Sequence, residues 1–155
     1  MDEKYLASRV ATANEAGLVA LLYEGLIDTL KDAQKHLQER RIKEFAAKVD
    51  KAKNILAEFV STLKGDSELA NQLRSLYLYV NQRMTEGYLK KDSEKLEEAI
   101  KVLMPLYEGW KALEQQEFQE NIGNRNRPEI IAGATYGRGQ LKDYVINHTD
   151  KWGRG

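Results

Sequence analysis

The segment FAAKVDKAKNILAEFVSTLKG, residues 45–65, carries the clearest helical pattern of this chain. Its regularly spaced apolar side chains alternate by four and three positions and therefore share one helix face: Phe45, Val49, Ala52, Leu56, Phe59 and Leu63. This spacing is typical of helices that pack nearly parallel or antiparallel to one another. Gly65 predicts the end of this helix.

Three further stripes of the same kind predict three more long helices. Asn14 is a competent N-cap for the first of them, a helix near Ser67 follows the 45–65 segment, and Asp92 or Ser93 begins the last. The stripes are Leu18, Leu22, Leu26, Leu30, Ala33 and Leu37; then Leu69, Leu73, Leu76, Val80, Met84 and Gly87; then Leu96, Ala99, Leu103, Leu106, Trp110 and Leu113. Pro105 lies inside the last segment and predicts a kink or a local break there.

The connections between these helices are only a few residues long, so each helix must run antiparallel to the one before it. We therefore predict an all-α protein, an antiparallel up-down-up-down four-helix bundle over residues 1–118, with residues 1–13 as an N-terminal cap segment. Residues 119–155 are rich in Gly, Asn and Arg and lack a sustained period, which predicts a loosely ordered C-terminal tail.

The composition excludes several classes of protein. Lys and Arg together number 24, as do Asp and Glu, so the net charge is +0 and no basic field attracts nucleic acid. The chain contains no cysteine and no run approaching the roughly 20 apolar residues of a membrane span. The acidic N-terminus lacks the apolar stretch of a signal peptide. We expect a cytoplasmic protein with neither a nucleic-acid partner nor a membrane segment.

No catalytic or metal-binding pattern is present in the sequence. A di-iron bundle uses Glu-x-x-His pairs, but the one histidine of the helical part, His36, follows Ala33 at that spacing and is expected in water near a helix end. The segment GATYGRG, residues 133–139, is glycine-rich but lacks the preceding strand and the lysine of a phosphate loop. We expect no enzyme activity, metal or cofactor.

The predicted helices carry more apolar surface than one stripe each can bury. The additional side chains are Val19, Tyr23, Ile27, Ile55, Tyr77, Tyr79, Tyr88, Ile100, Met104 and Tyr107. Tyrosines often span core and water, which accounts for part of this surface. The rest favours a groove for an amphipathic helix of a partner, with Leu6 and Val10 in a short segment that caps it.

Three stretches in matching order resemble the flagellar secretion chaperone family FliS, together spanning residues 5 to about 114. The first contains Tyr5, Val10, Thr12, Ala13, Leu18, Leu21, Leu22, Tyr23 and Gly25. The second is LRSLYLYVNQRMTEGYLKKD, residues 73–92, and the third is EKLEEAIKVLMPLYEGW, residues 94–110. Asn14 and Glu15 stand where the family has Ser-Pro, which keeps an N-cap but loses a proline at the first helical position.

The resemblance implies an export chaperone that binds the C-terminal amphipathic segment of flagellin, prevents premature polymerisation and delivers it to the flagellar type III export apparatus. It also implies contact with the export gate protein FlhA. The residues that we assign to the flagellin groove and its cap are Tyr5, Leu6, Val10, Val19, Tyr23, Ile27, Ile55, Tyr77 and Tyr79. We expect a monomer or a weak dimer.

Two alternatives use the same architecture. A self-associating structural or adaptor bundle would pack the same apolar surfaces against another copy of itself. An enzymatic or metal-containing bundle would need polar groups that converge in the core.

Overall fold

The computed structural model describes residues 3–120, and this part of the chain is all-helical. The helices are α1 (Glu3–Thr12), α2 (Glu15–Gln38), α3 (Ile42–Thr62), α4 (Glu68–Lys90) and α5 (Ser93–Glu120). The boundary predicted at residue 118 lies inside α5, and the rest of the predicted tail lies outside the described residues. Among the helices described, none combines the length and apolar character that a membrane span requires.

Short polar side chains begin the helices where the sequence predicts. The Asn14 side chain accepts a hydrogen bond from the Gly17 backbone N–H at 2.9 Å, which caps α2. Ser67 accepts one from Ala70 at 3.1 Å, at the start of α4. Asp92 accepts one from Glu94 at 3.0 Å, at the start of α5. All three predicted start positions are confirmed.

The turns that follow α2, α3 and α4 each use a left-handed backbone conformation. Gly65 has a φ of 75° and lies in the turn two residues beyond Leu63, the C-cap of α3, so it shapes the turn but does not itself end the helix as predicted. Arg40 and Lys91 take the same role in the other two turns, with φ values of 61° and 52°. α2 packs against α3 and α5, and α4 packs against α5 and α3.

The predicted apolar stripes of α2, α3 and α5 lie in the core. The α3 stripe is buried throughout, and the α2 stripe is buried except for Leu37, which is half-buried. In α5, Leu106 and Leu113 are half-buried, and the rest of the stripe is buried.

The stripe predicted for α4 is wrong at two positions. Leu69 is 42% exposed and Leu76 is half-buried, whereas Ala70 and Tyr77 are buried in their place. The buried face of α4 runs through residues 70, 73, 77, 80, 84 and 87, which keeps the helical period. The predicted and the observed series share Leu73, Val80, Met84 and Gly87 and differ by one residue at the other two positions, where the sequence analysis chose leucines.

A cluster of three aromatic rings joins α2, α3 and α4. The Tyr23 and Phe59 ring centroids are 4.7 Å apart, and those of Phe59 and Tyr77 are 5.5 Å apart. The hydroxyl groups of Tyr23 and Tyr77 share a hydrogen bond in this buried setting. The two tyrosines can therefore be buried completely without losing the hydrogen bonding of their polar ends.

The break predicted at Pro105 does not occur, since α5 continues through this residue to Glu120. Proline removes the hydrogen bond to the carbonyl four residues earlier, which belongs to Lys101. Both Pro105 and Lys101 are exposed, so water can solvate this carbonyl. The lost bond therefore does not end the helix.

Gly87 is expected to be indispensable to the packing of α4 on the start of α5. A Cβ atom at this position would lie 2.9 Å from Leu96 Cδ2 and 3.2 Å from the Asp92 carbonyl oxygen, and Leu96 is fully buried. We expect Gly87→Ala to lower the free energy of unfolding by about 1–2 kcal/mol, measured by urea denaturation.

Gly109, in α5, provides the matched control for Gly87→Ala. A Cβ atom there meets nothing within 4 Å, so Gly109→Ala should raise the free energy of unfolding by about 0.5–1 kcal/mol through helix propensity. Equal effects of the two substitutions would contradict the close packing of Gly87.

The hydroxyl pair of Tyr23 and Tyr77 is expected to behave as one energetic unit. We expect Tyr23→Phe and Tyr77→Phe each to cost about 1 kcal/mol, because each leaves a buried hydroxyl with one bond fewer. The double variant should cost clearly less than the sum, since no hydroxyl is then left behind. Additive costs in urea denaturation would show that the two hydroxyls do not interact.

Candidate functional site

The N-terminal helix α1 is attached to the rest of the protein through two apolar side chains. Leu6 and Val10, four residues apart, are buried, whereas the other residues of α1 are exposed or half-buried. Burial of two such side chains contributes about 3–6 kcal/mol. The conformational entropy lost when the ten residues of α1 are ordered opposes this contribution. The position of α1 therefore depends on further contacts.

The strongest further contact is a polar cluster that joins three helices, and we call it the Glu24 cluster. Arg9 Nη1, from α1, lies 2.6 Å from Glu24 Oε2, on α2. Tyr107, on α5, donates its hydroxyl hydrogen to Glu24 Oε1 at 2.8 Å. The Glu24 side chain is only 19% exposed, so both of its oxygens are paired in a site that water reaches poorly.

The charge of Glu24 contributes to raised pKa values of Arg9, Tyr107 and Asp28. Partial burial by itself lowers the pKa of Arg9, but the hydrogen bond and the charge of Glu24 outweigh this, and the pKa is raised. Partial burial and then the hydrogen bond to Glu24 raise the pKa of Tyr107 well above its usual value. Desolvation of its carboxyl group and then the charge of Glu24 raise the pKa of Asp28, one turn further along α2. The cluster is thus a negative site held by one cation and one neutral donor.

A second set of contacts lies where α1, the start of α2 and the end of α5 meet. Asn14 caps α2 with its side-chain oxygen and donates its amide hydrogen to the Glu114 carbonyl oxygen at 3.1 Å. The Glu114 side chain lies directly on Gly17, where a Cβ atom would be 2.1 Å from Glu114 Oε2. A side chain at position 17 would therefore displace the Glu114 carboxylate from its place on α2.

A pocket of about 550 Å³ opens at this junction. Residues from α1, α2 and α5 line it, among them Arg9, Leu21 and Phe118. Phe118 is largely exposed, and it belongs to the last turns of α5. The Glu24 cluster and this pocket share Arg9, so the surface of α2 and α5 that faces α1 has both polar and apolar features.

Five of the residues assigned to an open groove are core residues instead. Val19, Tyr23, Ile27, Ile55 and Tyr77 are all buried in the main hydrophobic cluster. They form no accessible surface in this conformation, because the helices present wide apolar faces and the two tyrosine hydroxyls bond to each other. Contact with a partner at these positions would require a packed helix to move away.

The other four assigned residues divide between core and surface. Leu6 and Val10 are buried beneath α1, whereas Tyr5 is 57% and Tyr79 39% exposed. The Arg9 guanidinium lies 5.6 Å from the centroid of the Tyr5 ring. The structure therefore brings Tyr5 to Arg9 of the Glu24 cluster, places Leu6 and Val10 on the buried face of α1, and leaves Tyr79 on the surface of α4.

Sequence reasoning missed both Glu24 and the exposed leucines of α4. Glu24 was not singled out, although it directly follows Tyr23 within a strongly apolar run, which is a signal of partial burial. Leu78 and Leu89 are highly exposed and lie three turns apart on one side of α4.

Within residues 3–120, no group of three or more histidine or acidic side chains is arranged to hold a metal ion. His36 lies in the last turn of α2, as expected, but it is half-buried rather than surrounded by water.

Comparison with known proteins identifies one family and several relatives. The model of the family described as "Flagellar protein FliS" matches residues 1–117. The chain is 25% identical over 120 residues to the flagellar secretion chaperone FliS of Bacillus subtilis, covering 77% of this chain and 90% of the relative. It is 28% identical over 107 residues to FliSB of Pseudomonas aeruginosa, covering 68% and 85%. It is 29% identical over 119 residues to FliS of Salmonella typhimurium, covering 74% and 87%.

The match to the family model includes α1 to α4 and nearly all of α5. The three relatives are all named as flagellar secretion chaperones. This chain therefore belongs to the FliS family, which is a family of flagellar chaperones and not of enzymes.

Proposed function

We propose that this protein is a cytoplasmic export chaperone that binds the C-terminal amphipathic segment of flagellin. Binding would prevent premature polymerisation and deliver flagellin to the flagellar type III export apparatus. Membership of the FliS family supports a flagellar client, and the family resemblance implies the export gate protein FlhA as a second partner. The observation that carries the proposal is the way α1 is held on α2 and α5.

α1 is a short amphipathic helix on a surface that is suited to such helices. It buries Leu6 and Val10 and pairs Arg9 with Glu24, while most of its other residues face solvent. A longer client helix offers more apolar contact than two side chains can, so it can compete for the same surface. The ordering cost of a client that folds as it binds is then offset by this larger contact.

The proposed architecture follows the short connections between the long helices. We propose that α2 to α5 run up-down-up-down within a chaperone domain of residues 1–118, with α1 as a displaceable cap over residues 1–13. The core residues Val19 and Ile27 lie on α2 and would contact the client only after the cap has moved, whereas Tyr23 stays in the aromatic cluster with Phe59 and Tyr77.

A calorimetric titration with a peptide covering the C-terminal helical region of flagellin from the same organism tests the proposal. We expect one-to-one binding with a negative heat-capacity change, because apolar surface is buried. Replacement of both Leu6 and Val10 by alanine should tighten the apparent affinity several-fold, since the cap then competes less. Deletion of residues 1–13 should act in the same direction.

The matched control replaces Ala7 and Ala11, on the exposed side of α1, by serine and should leave the affinity unchanged. If the cap variants bind like the unmodified protein, α1 is not a cap. If a correctly folded protein does not bind the peptide at all, the chaperone proposal itself is wrong.

Self-association is the second candidate, and the exposed leucines of α4 favour it. Leu78 and Leu89 lie on one side of α4 and could pack against a second copy. If they do, light scattering over a dilution series should detect a dimer, and Leu78→Gln with Leu89→Gln should abolish it. A monomer at all concentrations would contradict this candidate and agree with a protein that awaits its client.

A further inference from the structure

We propose that Glu24 forms an ion pair with a basic side chain of the client helix. The surface beneath α1 would select a helix with apolar residues at positions i and i+4 and a lysine or arginine at i+3. This inference rests on the proposed chaperone function, and it names the chemistry of the client that the same surface accepts.

The pattern comes from α1, which occupies this surface in the absence of a client. Its inward residues Leu6 and Val10 stand at i and i+4, and Arg9 stands at i+3 between them. The side chain at i+3 reaches sideways to Glu24, with 2.6 Å between Nη1 and Oε2. α1 therefore shows the residue pattern that a client helix needs in order to bind the surface of α2 and α5.

Glu24 needs a cation because of where it lies. Its side chain is mostly buried at the meeting point of three helices, and an ionised carboxylate in such a place is costly without a charged partner. Tyr107 donates one hydrogen bond but carries no charge. Within residues 3–120, Arg9 supplies the only ion pair to Glu24. Displacement of α1 removes that pair.

Two further carboxylates on α2 make a cationic partner for Glu24 more favourable. Asp28 and Asp32 follow Glu24 on the same side of α2 at intervals of four residues, and Asp32 is paired with Lys48 at 3.6 Å. Lys111, on α5, has its Nζ 5.0 Å from the centroid of the Tyr107 ring and so faces the ring rather than the carboxylate. A purely apolar client helix would leave Glu24 without a cationic partner. A client with a basic residue at i+3 would form an ion pair with Glu24 in place of Arg9.

The test separates the pairing of Glu24 with the cap from its pairing with the client. Calorimetric titration with the same flagellin peptide is carried out on the full chain carrying Arg9→Gln, and on the double variant Arg9→Gln with Glu24→Gln. Arg9→Gln should bind more tightly than the unmodified protein, because the cap is loosened and Glu24 is free for the client. Addition of Glu24→Gln should then weaken binding about three- to tenfold and flatten its dependence on salt.

Two controls accompany these variants. Asp50→Asn in the Arg9→Gln background removes an exposed carboxylate of α3 and should leave affinity unchanged. Glu24→Asp in the same background keeps the charge and should recover part of the affinity that Glu24→Gln loses. A flagellin peptide with its lysines and arginines replaced by glutamine should bind the Arg9→Gln and double variants equally.

The outcomes distinguish the ion pair of Glu24 with the client from the chaperone function itself. Equal affinity and equal salt dependence of the Arg9→Gln and double variants would show that Glu24 serves only to hold the cap, and would overturn this inference alone. Failure of every folded variant to bind the peptide would overturn the chaperone proposal and this inference with it. Circular dichroism verifies that each variant remains helical.

Discussion

The structure depends on the burial of α2, which is enclosed along its whole first half. Every residue from Glu15 to Tyr23 is buried, so the polar groups in and beside this stretch must find partners within the protein. Tyr23 bonds to Tyr77 on α4, and Glu24 pairs with Arg9 on α1 and Tyr107 on α5. The requirement to satisfy these groups ties three other helices to α2.

These contacts differ in strength, and the difference bears on function. The aromatic cluster of Tyr23, Phe59 and Tyr77 is buried on all sides, so it cannot open without loss of the core. α1 is held by two apolar side chains and an ion pair whose members are partly exposed. It is therefore the helix with the least attachment, and its removal leaves the long helices in contact.

Sequence periodicity predicted most of the fold, because stripes at helical spacing must face a common core. The stripe of α3 was right at every position, and the three N-caps follow from the preference of Asn, Ser and Asp for helix starts. Periodicity could not decide the phase of α4, where both the Leu69 and the Ala70 series repeat at helical intervals. It also could not exclude a break at Pro105, where α5 continues, since the effect of a proline depends on whether water reaches the freed carbonyl.

Local spacing and short stretches of residues were enough to predict the all-helical class, the starts of α2, α4 and α5, and the resemblance to the FliS family. Which side chains are accessible follows from the tertiary structure alone. Residues such as Ile27 and Ile55, assigned to a groove, lie in the core, and an ordinary acid, Glu24, lies between three helices. Burial and charge pairing are properties of helices that meet from distant parts of the chain, and the spacing along one helix does not contain them.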